Sequence, residues 1–318
     1  MGLTGFGRIG VLMGGPSSER EISLKSGKAV YEALNKAGID VVEIDITTDN
    51  AEENIKLISS YNIDCAFLAL HGRFGEDGTI QKILEQIRLP YTGSGIIASR
   101  LAMDKVASRK IFEANNLYIP KYGVISRISY DSGIDINGKL KMPLVIKPVT
   151  HGSSIGLSII NKRRDLRKAM DLAFEYDERI IIEEYVKGRE LTVGILDESA
   201  LPVIEIIPKK GFFDFEAKYR AGLTEYVVPA ELDESFRQRV QEAALTAHKL
   251  LGCFGCSRVD IILNENNLPY VLEVNTIPGM TATSLLPKAA GNIGIKFDQL
   301  CITLINLAYE KANIQISA

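Results

Sequence analysis

Between Arg8 and about Tyr91, short apolar runs (RIGVLM, VVEID, CAFLAL, LPYTG) alternate with stretches of helical period such as EISLKSGKAVYEALNKAG and GTIQKILEQIR. This alternation predicts a parallel sheet covered by helices. A second pattern opens with a helix from about Ser99 to Asn115. Strands KYGVI, PLVIKPV, GLSII and RIIIEEYV follow, with a helix near Asp165 to Glu175, which reads as a small α+β unit. A third unit starts near Glu190 with two strands. A long polar and aromatic stretch from Pro208 to Pro229 comes next, then a helix from Glu234 to Leu251, a strand pair, a helix starting near Ser284 and an amphipathic helix from about Phe297 to Lys311. The expected fold is α/β in three domains, over 1–98, 99–186 and 187–318, with no internal repeat.

The strand pair RVDIILNENNLPYVLEVN carries the most specific pattern. With Asn266 and Asn267 as a two-residue turn, Asp260 falls opposite Glu273 and Arg258 opposite Asn275. Period-2 alternation puts these four on one face with Ile262 and Val271. The other face then carries Val259, Ile261, Leu263, Tyr270, Leu272 and Val274, set against a core. Two carboxylates about 5 Å apart repel by roughly 3 kcal/mol at an effective dielectric near 20, so a positive group is expected between them. Arg258 is one candidate. A set of oxygen donors also suits a hard cation such as magnesium, while a solvated hairpin with a structural ion pair is the alternative.

Charge and composition narrow the class. The 318 residues carry 37 basic and 40 acidic side chains, a net charge of -3, which gives no reason to expect nucleic acid or a membrane surface as partner. The hydrophobic content of 46% leaves no gap resembling a disordered linker. No apolar run approaches the roughly 20 residues of a membrane span. The N-terminus shows no basic segment followed by an apolar one, and four scattered cysteines make no disulfide framework, so a cytoplasmic small-molecule enzyme is expected.

Several loops add chemistry. VIKPVTHGSSIG ends a strand in Lys147 and continues into small residues whose N–H groups can approach phosphate oxygens, though it lacks the GKS or GKT ending of a Walker A loop. IIIEEYVKGRE runs an apolar strand into the acids Glu183 and Glu184. In MGGPSSEREISL, Glu19 stands either as part of a helix cap or as a binder of an ammonium group. HGRFGEDGTIQ places His71 at the C-terminal edge of the first sheet, where open α/β folds bind ligands. NTIPGMTATSLLP leads into a helix whose first turn, at Ser284, suits an anion. The 208–229 stretch, with Phe212, Phe213, Phe215, Lys218 and Tyr219, is long for a connector and is expected to close over a ligand. His151 also lies in a candidate site loop, whereas His248 falls within a helix and reads as structural.

Two motifs mislead. GFGRIG, from Gly5 to Gly10, matches the dinucleotide pattern, but a strand follows it where the fingerprint requires a strand before and a helix after. Cys253 and Cys256 form a single CxxC with no second pair to complete a zinc site.

In order along the chain, GGPSSEREISL, HGRFGEDGTIQ, LPYTGSG, MDK at Met103 to Lys105, KPVTHGSSIG, EEYVKGRELTV, FFDFEAKY, SRVD, LEVN and PGMTATSL resemble the D-alanine:D-alanine ligases of the ATP-grasp superfamily. The likeness runs from about Ile9 to near the C-terminus. It departs at Phe74, where Gly is commonest, and the leader MGLTGFG has no counterpart.

The resemblance implies a three-domain ATP-grasp fold: a Rossmann-like parallel-sheet (pre-ATP-grasp) domain, then central and C-terminal α+β domains with ATP between their antiparallel sheets. It puts Lys105 and Lys147 on ATP phosphates, Glu183, Glu184 and Val186 at adenine, Glu190 on ribose and Phe212 near the base. Asp260, Glu273 and Asn275 match the metal ligands for Mg2+, two ions, with Mn2+ as a substitute. Glu19 would hold the ammonium of the first D-alanine in a triad with Ser153 and Tyr219, with His71 close by. Lys218 would sit on the γ-phosphate, Arg258 and Gly279 would stabilise an oxyanion, and Ser284 and Leu285 would bind the second D-alanine. The resemblance also implies a cytoplasmic homodimer making D-alanyl-D-alanine for peptidoglycan through an acyl phosphate. A D-alanine:D-lactate ligase and a catalytically silent ATP-binding module are the rival readings. Lys218-Tyr219 marks the dipeptide enzymes, and the intact Arg258, Asp260, Glu273 and Asn275 count against a silent module.

Overall fold

The computed structural model describes residues 5–132, 140–209 and 223–317, the last four as backbone only. The expectations for Phe212, Phe213, Phe215, Lys218 and Tyr219 lie outside the described residues. The chain opens with β1 (Ile9–Gly14), α1 (Arg20–Lys36), β2 (Val41–Ile46), α2 (Ala51–Ser60), β3 (Cys65–Leu68) and α3 (Thr79–Gln86). The three strands form a parallel sheet in the order β2-β1-β3. β1 is buried along its whole length, as a strand covered on both faces must be. LPYTG adds no strand. It meets the sheet through one parallel bridge, Ala66 to Tyr91.

A single helix from Ser99 to Asn115 does not form. Instead α4 (Ile96–Met103) and α5 (Lys105–Ala114) are separated at Asp104, whose backbone is extended and whose Oδ1 accepts from the N–H groups of Val106 and Ala107, both at 2.9 Å. Asp competes for backbone N–H groups better than it propagates a helix, so a capping residue interrupts the apolar periodicity.

Then come β4 (Tyr122–Ser126), the short α6 (Arg127–Asp131), β5 (Leu144–Pro148), β6 (Ser158–Ile160), α7 (Leu166–Phe174) and β7 (Arg179–Glu184). Their strands make an antiparallel sheet ordered β4-β7-β5-β6, backed by α7 through Met170, Ala173 and Phe174. A second antiparallel sheet, β11-β10-β8-β12-β13 with β9 beside β8, is built from β8 (Gly188–Leu196), β9 (Ser199–Ala200), β10 (Ile204–Pro208), β11 (Thr224–Val227), β12 (Cys256–Asn264) and β13 (Pro269–Asn275). Helix α8 (Glu234–Leu250) covers it. The chain closes with α9 (Leu285–Asn292) and α10 (Phe297–Ser317), the latter running past the expected end at Lys311. Val11, Phe67, Leu196, Met280, Leu286 and Leu304 share one core, so the first sheet packs directly on C-terminal elements. Among the described residues no helix is long and apolar enough to cross a membrane.

The β12–β13 hairpin departs from the expected turn, yet its polar pairs form. Asn267, at φ 56°, ends a three-residue loop in which its N–H reaches the Asn264 carbonyl at 2.8 Å. The Asn264 side chain accepts from Asn266 and Leu268, which holds the longer loop closed. Pairing near the loop is therefore offset by one, with Ile261 opposite Val271. A bulge leaving Leu272 without a partner in β12 restores Asp260 opposite Glu273 and Arg258 opposite Asn275. The bulge also reassigns the faces. Val271 joins the core with Val259, Ile261, Leu263 and Val274, whereas Tyr270 and Leu272, expected on that core face, turn outward.

Candidate active site

The sheets and loops enclose two adjoining cavities. The larger, of about 380 Å³, is lined by Glu19, His71, Lys105, Ser153, Arg258, Glu273, Asn275, Gly279, Ser284 and Leu285. The smaller, of about 150 Å³, is lined by Lys147, Glu183, Glu184, Val186, Glu190 and Asp260, again with Lys105 and Glu273. Every predicted site residue within the described chain therefore borders one cavity or both. Lys105 and Glu273 stand at the junction, with Nζ and Oε2 3.9 Å apart.

Glu19 occupies the position before α1, but its side chain makes no cap bond. It is turned instead toward the second unit, where the Ser153 hydroxyl donates to Oε1. Of the two readings open in the sequence, the side-chain cap is the one this geometry does not form. Ser153 and Ser154 both adopt left-handed backbone, φ 52° and 59°, an unfavourable state for residues with a Cβ. Such strain persists only where surrounding contacts over-determine it, which is common in loops shaped for a ligand. Lys105, almost fully buried, begins α5 and donates to the His151 carbonyl at 2.6 Å, tying this loop to the helix.

The smaller cavity has an apolar wall, with Val145, Ile159, Ile262 and Leu272, and a charged end. At that end Lys147 Nζ lies 2.9 Å from Glu183 Oε2, and Arg109 Nη2 lies 2.6 Å from Oε1. Burial alone would push the Glu183 carboxyl up, but Arg109 and Lys147 outweigh it and hold it below the usual carboxylate range. Arg109 was missed in the sequence. A signal existed, since Lys105, Val106, Arg109 and Phe112 share the buried helical stripe of α5, where an arginine must be paired. Burial lowers the His151 imidazole from its usual value, with Arg73 and Lys105 adding to the effect. Its Nδ1 is buried with no hydrogen-bond partner among the described residues.

On the hairpin, Asp260 receives both nitrogens of an Arg258 fork at 2.9 Å and the Thr192 hydroxyl at 2.6 Å. Thr192, fully buried on β8, is a second residue the sequence reading passed over. Among the described residues no group of three His, Cys, Asp or Glu is placed to hold a metal. Asp260 and Glu273 supply two carboxylates and Asn275 an amide oxygen. This oxygen-only set fits magnesium, which normally keeps positions for water and phosphate oxygens.

Beyond the hairpin, Gly279 has no room for a larger residue at ease, since a Cβ there would lie 3.1 Å from Ser284 Oγ. Ser284 precedes α9 without capping it. Its Oγ accepts from Thr281 N at 3.1 Å, which leaves the first-turn N–H groups of the helix for an anion.

The features set aside in the sequence have other roles. Gly5 to Arg8 form no strand before β1, so the dinucleotide geometry is absent. Burial pushes the Cys253 and Cys256 thiols up to about 12, which makes them poor nucleophiles and poor metal ligands. His248 is buried against Ser257 Oγ at 2.7 Å.

Comparison with known proteins gives a consistent picture. Residues 8–56 and 49–94 match the family described as D-ala D-ala ligase N-terminus, and residues 111–306 match D-ala D-ala ligase C-terminus. A D-alanine--D-alanine ligase of Syntrophotalea carbinolica is 46% identical over 294 residues, covering 92% of this chain and 93% of the relative. Among solved structures, the D-alanine--D-alanine ligase from Bacillus anthracis complexed with ATP superposes with a TM-score of 0.85 at 34% identity, covering 97% of this chain and 99% of that one. The VanG D-Ala:D-Ser ligase from Enterococcus faecalis gives 0.82 at 32% identity, covering 95% and 99%.

Proposed function

The chain belongs to the D-ala D-ala ligase family, and we propose from that membership how its own residues divide the reaction. It is an ATP-dependent ligase that joins two D-alanines. The observation that carries the residue assignment is the shared wall of the two cavities at Lys105 and Glu273. Such a junction is where a nucleotide γ-phosphate from one side and an amino-acid carboxylate from the other would meet.

A carboxylate does not condense with an amine at neutral pH. The first D-alanine therefore takes the γ-phosphoryl group from ATP to give an acyl phosphate and ADP. The second amine attacks the acyl carbon, and phosphate leaves. In this reading Lys105 and Lys147 neutralise phosphate charge, Glu183, Glu184 and Val186 border adenine, and Glu190 faces ribose. Glu19, with Ser153, holds the first ammonium. Arg258 and the N–H of Gly279 meet the oxyanion of the tetrahedral intermediate. Ser284 and the N–H of Leu285 take the second carboxylate. Asp260, Glu273 and Asn275 would hold magnesium, which when bound supplies charge neutralisation on the phosphates. Phe212, Lys218 and Tyr219, in the 208–229 segment, are assigned to a cover that keeps water from the acyl phosphate. Peptidoglycan precursor synthesis follows from the product. A cytoplasmic homodimer is part of the same reading, to be checked by light scattering of the purified protein.

The deciding experiment incubates the protein with ATP, magnesium and D-alanine, D-serine, D-lactate or L-alanine separately and identifies products by mass. D-alanyl-D-alanine with stoichiometric ADP is expected. Absence of the dipeptide with D-alanine would overturn the reading.

A further inference from the structure

Helix α1 turns the hydroxyl of Ser26, 1% exposed, toward the loop after β3, where its Oγ lies 3.0 Å from His71 Nε2. The same oxygen accepts from the Met280 N–H at 3.4 Å. On the far side of the imidazole, Glu76 Oε1 lies 3.6 Å from Nδ1 and is itself held by the Gly72 N–H at 2.9 Å. The 3.6 Å separation is too long for a formed hydrogen bond, yet it points a carboxylate at Nδ1. Ser17 Oγ donates to the His71 carbonyl at 2.6 Å, so the backbone is fixed as well. Glu76, His71 and Ser26 all border the larger cavity beside Glu19 and Gly279.

A hydroxyl has one proton to give. Its oxygen has two lone pairs, so with Met280 on one of them Ser26 could still either donate to Nε2 or accept from it. Between the two neutral tautomers, the Glu76 carboxylate facing Nδ1 favours the proton there, which leaves an Nε2 lone pair for the Ser26 hydroxyl. The opposite tautomer would aim the Nδ1 lone pair at a carboxylate and leave the Ser26 proton without its acceptor in a buried place. The partner of one ring nitrogen sets the state of the other. We propose that Ser26 and Glu76 are positioning residues for the ligase reaction, selecting the Nδ1–H over the Nε2–H tautomer of His71 and tying its ring, through Ser26, to the backbone that follows Gly279. The inference rests on the function proposed above, because it concerns the chamber assigned there to the amino acids.

The chain has three histidines, so the tautomer can be read directly. Full-length protein labelled with 15N-histidine, with His71 assigned through His71→Gln, is expected to show the Nδ1–H pattern. Ser26→Ala and Glu76→Gln are each expected to mix in the Nε2–H form and raise the KM for D-alanine about tenfold, as loss of an orienting partner typically does, without moving the KM for ATP. Ser26→Thr, which keeps the hydroxyl, is expected to restore both readouts. A wild-type Nε2–H signal, or an unchanged tautomer and unchanged D-alanine KM in Ser26→Ala and Glu76→Gln, would overturn the proposal. Failure of the wild type to make dipeptide would strike the ligase reading instead and leave the tautomer assignment standing.

Discussion

Arg109 Nη2 donates to Glu183 Oε1 at 2.6 Å, while Nη1 of the same guanidinium reaches the Val271 carbonyl. One fully buried side chain therefore joins the charged end of the smaller cavity to the hairpin just before its bulge. Removing one partner of a buried ion pair costs about 3–5 kcal/mol. Lys147 still contacts Glu183, so Arg109→Met is expected near the lower end of that range in urea unfolding, with a raised KM for ATP. Unchanged stability and ATP affinity would show that Arg109 couples nothing.

Thr192 offers a milder perturbation of the hairpin. Its hydroxyl gives Asp260 Oδ1 a 2.6 Å bond from β8, and replacing it by Val keeps shape while removing that donor. Loss of a hydrogen bond that orients a metal ligand typically weakens metal affinity about tenfold or more. Thr192→Val is expected to raise the magnesium concentration for half-maximal activity by that factor, leaving the KM for D-alanine alone. A magnesium titration that overlays the wild type would refute the assignment of Asp260 to the metal.

Phe74 sets two effects against each other. Its φ of 76° belongs to left-handed backbone, which a Gly would adopt at less cost, yet its ring is buried in the core with Leu70 and Ile80. Left-handed backbone costs roughly 1–2 kcal/mol, whereas deleting a core Phe costs about 3–5 kcal/mol. Burial wins. Phe74→Gly is expected to destabilise the fold by about 2 kcal/mol in denaturant unfolding, and a stabilised variant would mean the ring contributes little.

Burial lowers the His248 imidazole to about 4, with Lys249 adding to the effect. Between about pH 6.5 and 4 the unfolded chain binds a proton that the folded chain excludes, so stability falls as pH falls through this window. The full effect is roughly 3 kcal/mol. His248→Gln is expected to flatten this part of the stability profile measured by urea unfolding, and an unaltered slope would place the titration elsewhere.

Much of the site was legible because it depends on local pattern. The acids and amide of the hairpin follow from alternation, and Lys147 with its Ser-rich loop follows from residue type. The partners of Arg109, Thr192 and Ser26 were not, because they lie 74, 68 and 45 positions away. Nothing local to a threonine in a buried strand says which carboxylate it faces. The break at Asp104 and the loop at Asn264 show a different limit. In both, one short polar side chain captured backbone N–H groups and overruled a periodicity that continued on either side.

On either side of Leu272 the hairpin keeps different ladder sums, and this gives the strand one spare position. A chain lacking Leu272 would continue the loop-side pairing and still set Glu273 opposite Asp260. The carboxylates do not need the extra residue. What it adds is a second consecutive side chain on the cavity side, beside Ile262. The apolar wall of the smaller cavity, proposed above to border the base, can therefore be resized at Leu272 without moving Asp260 or Glu273 out of register.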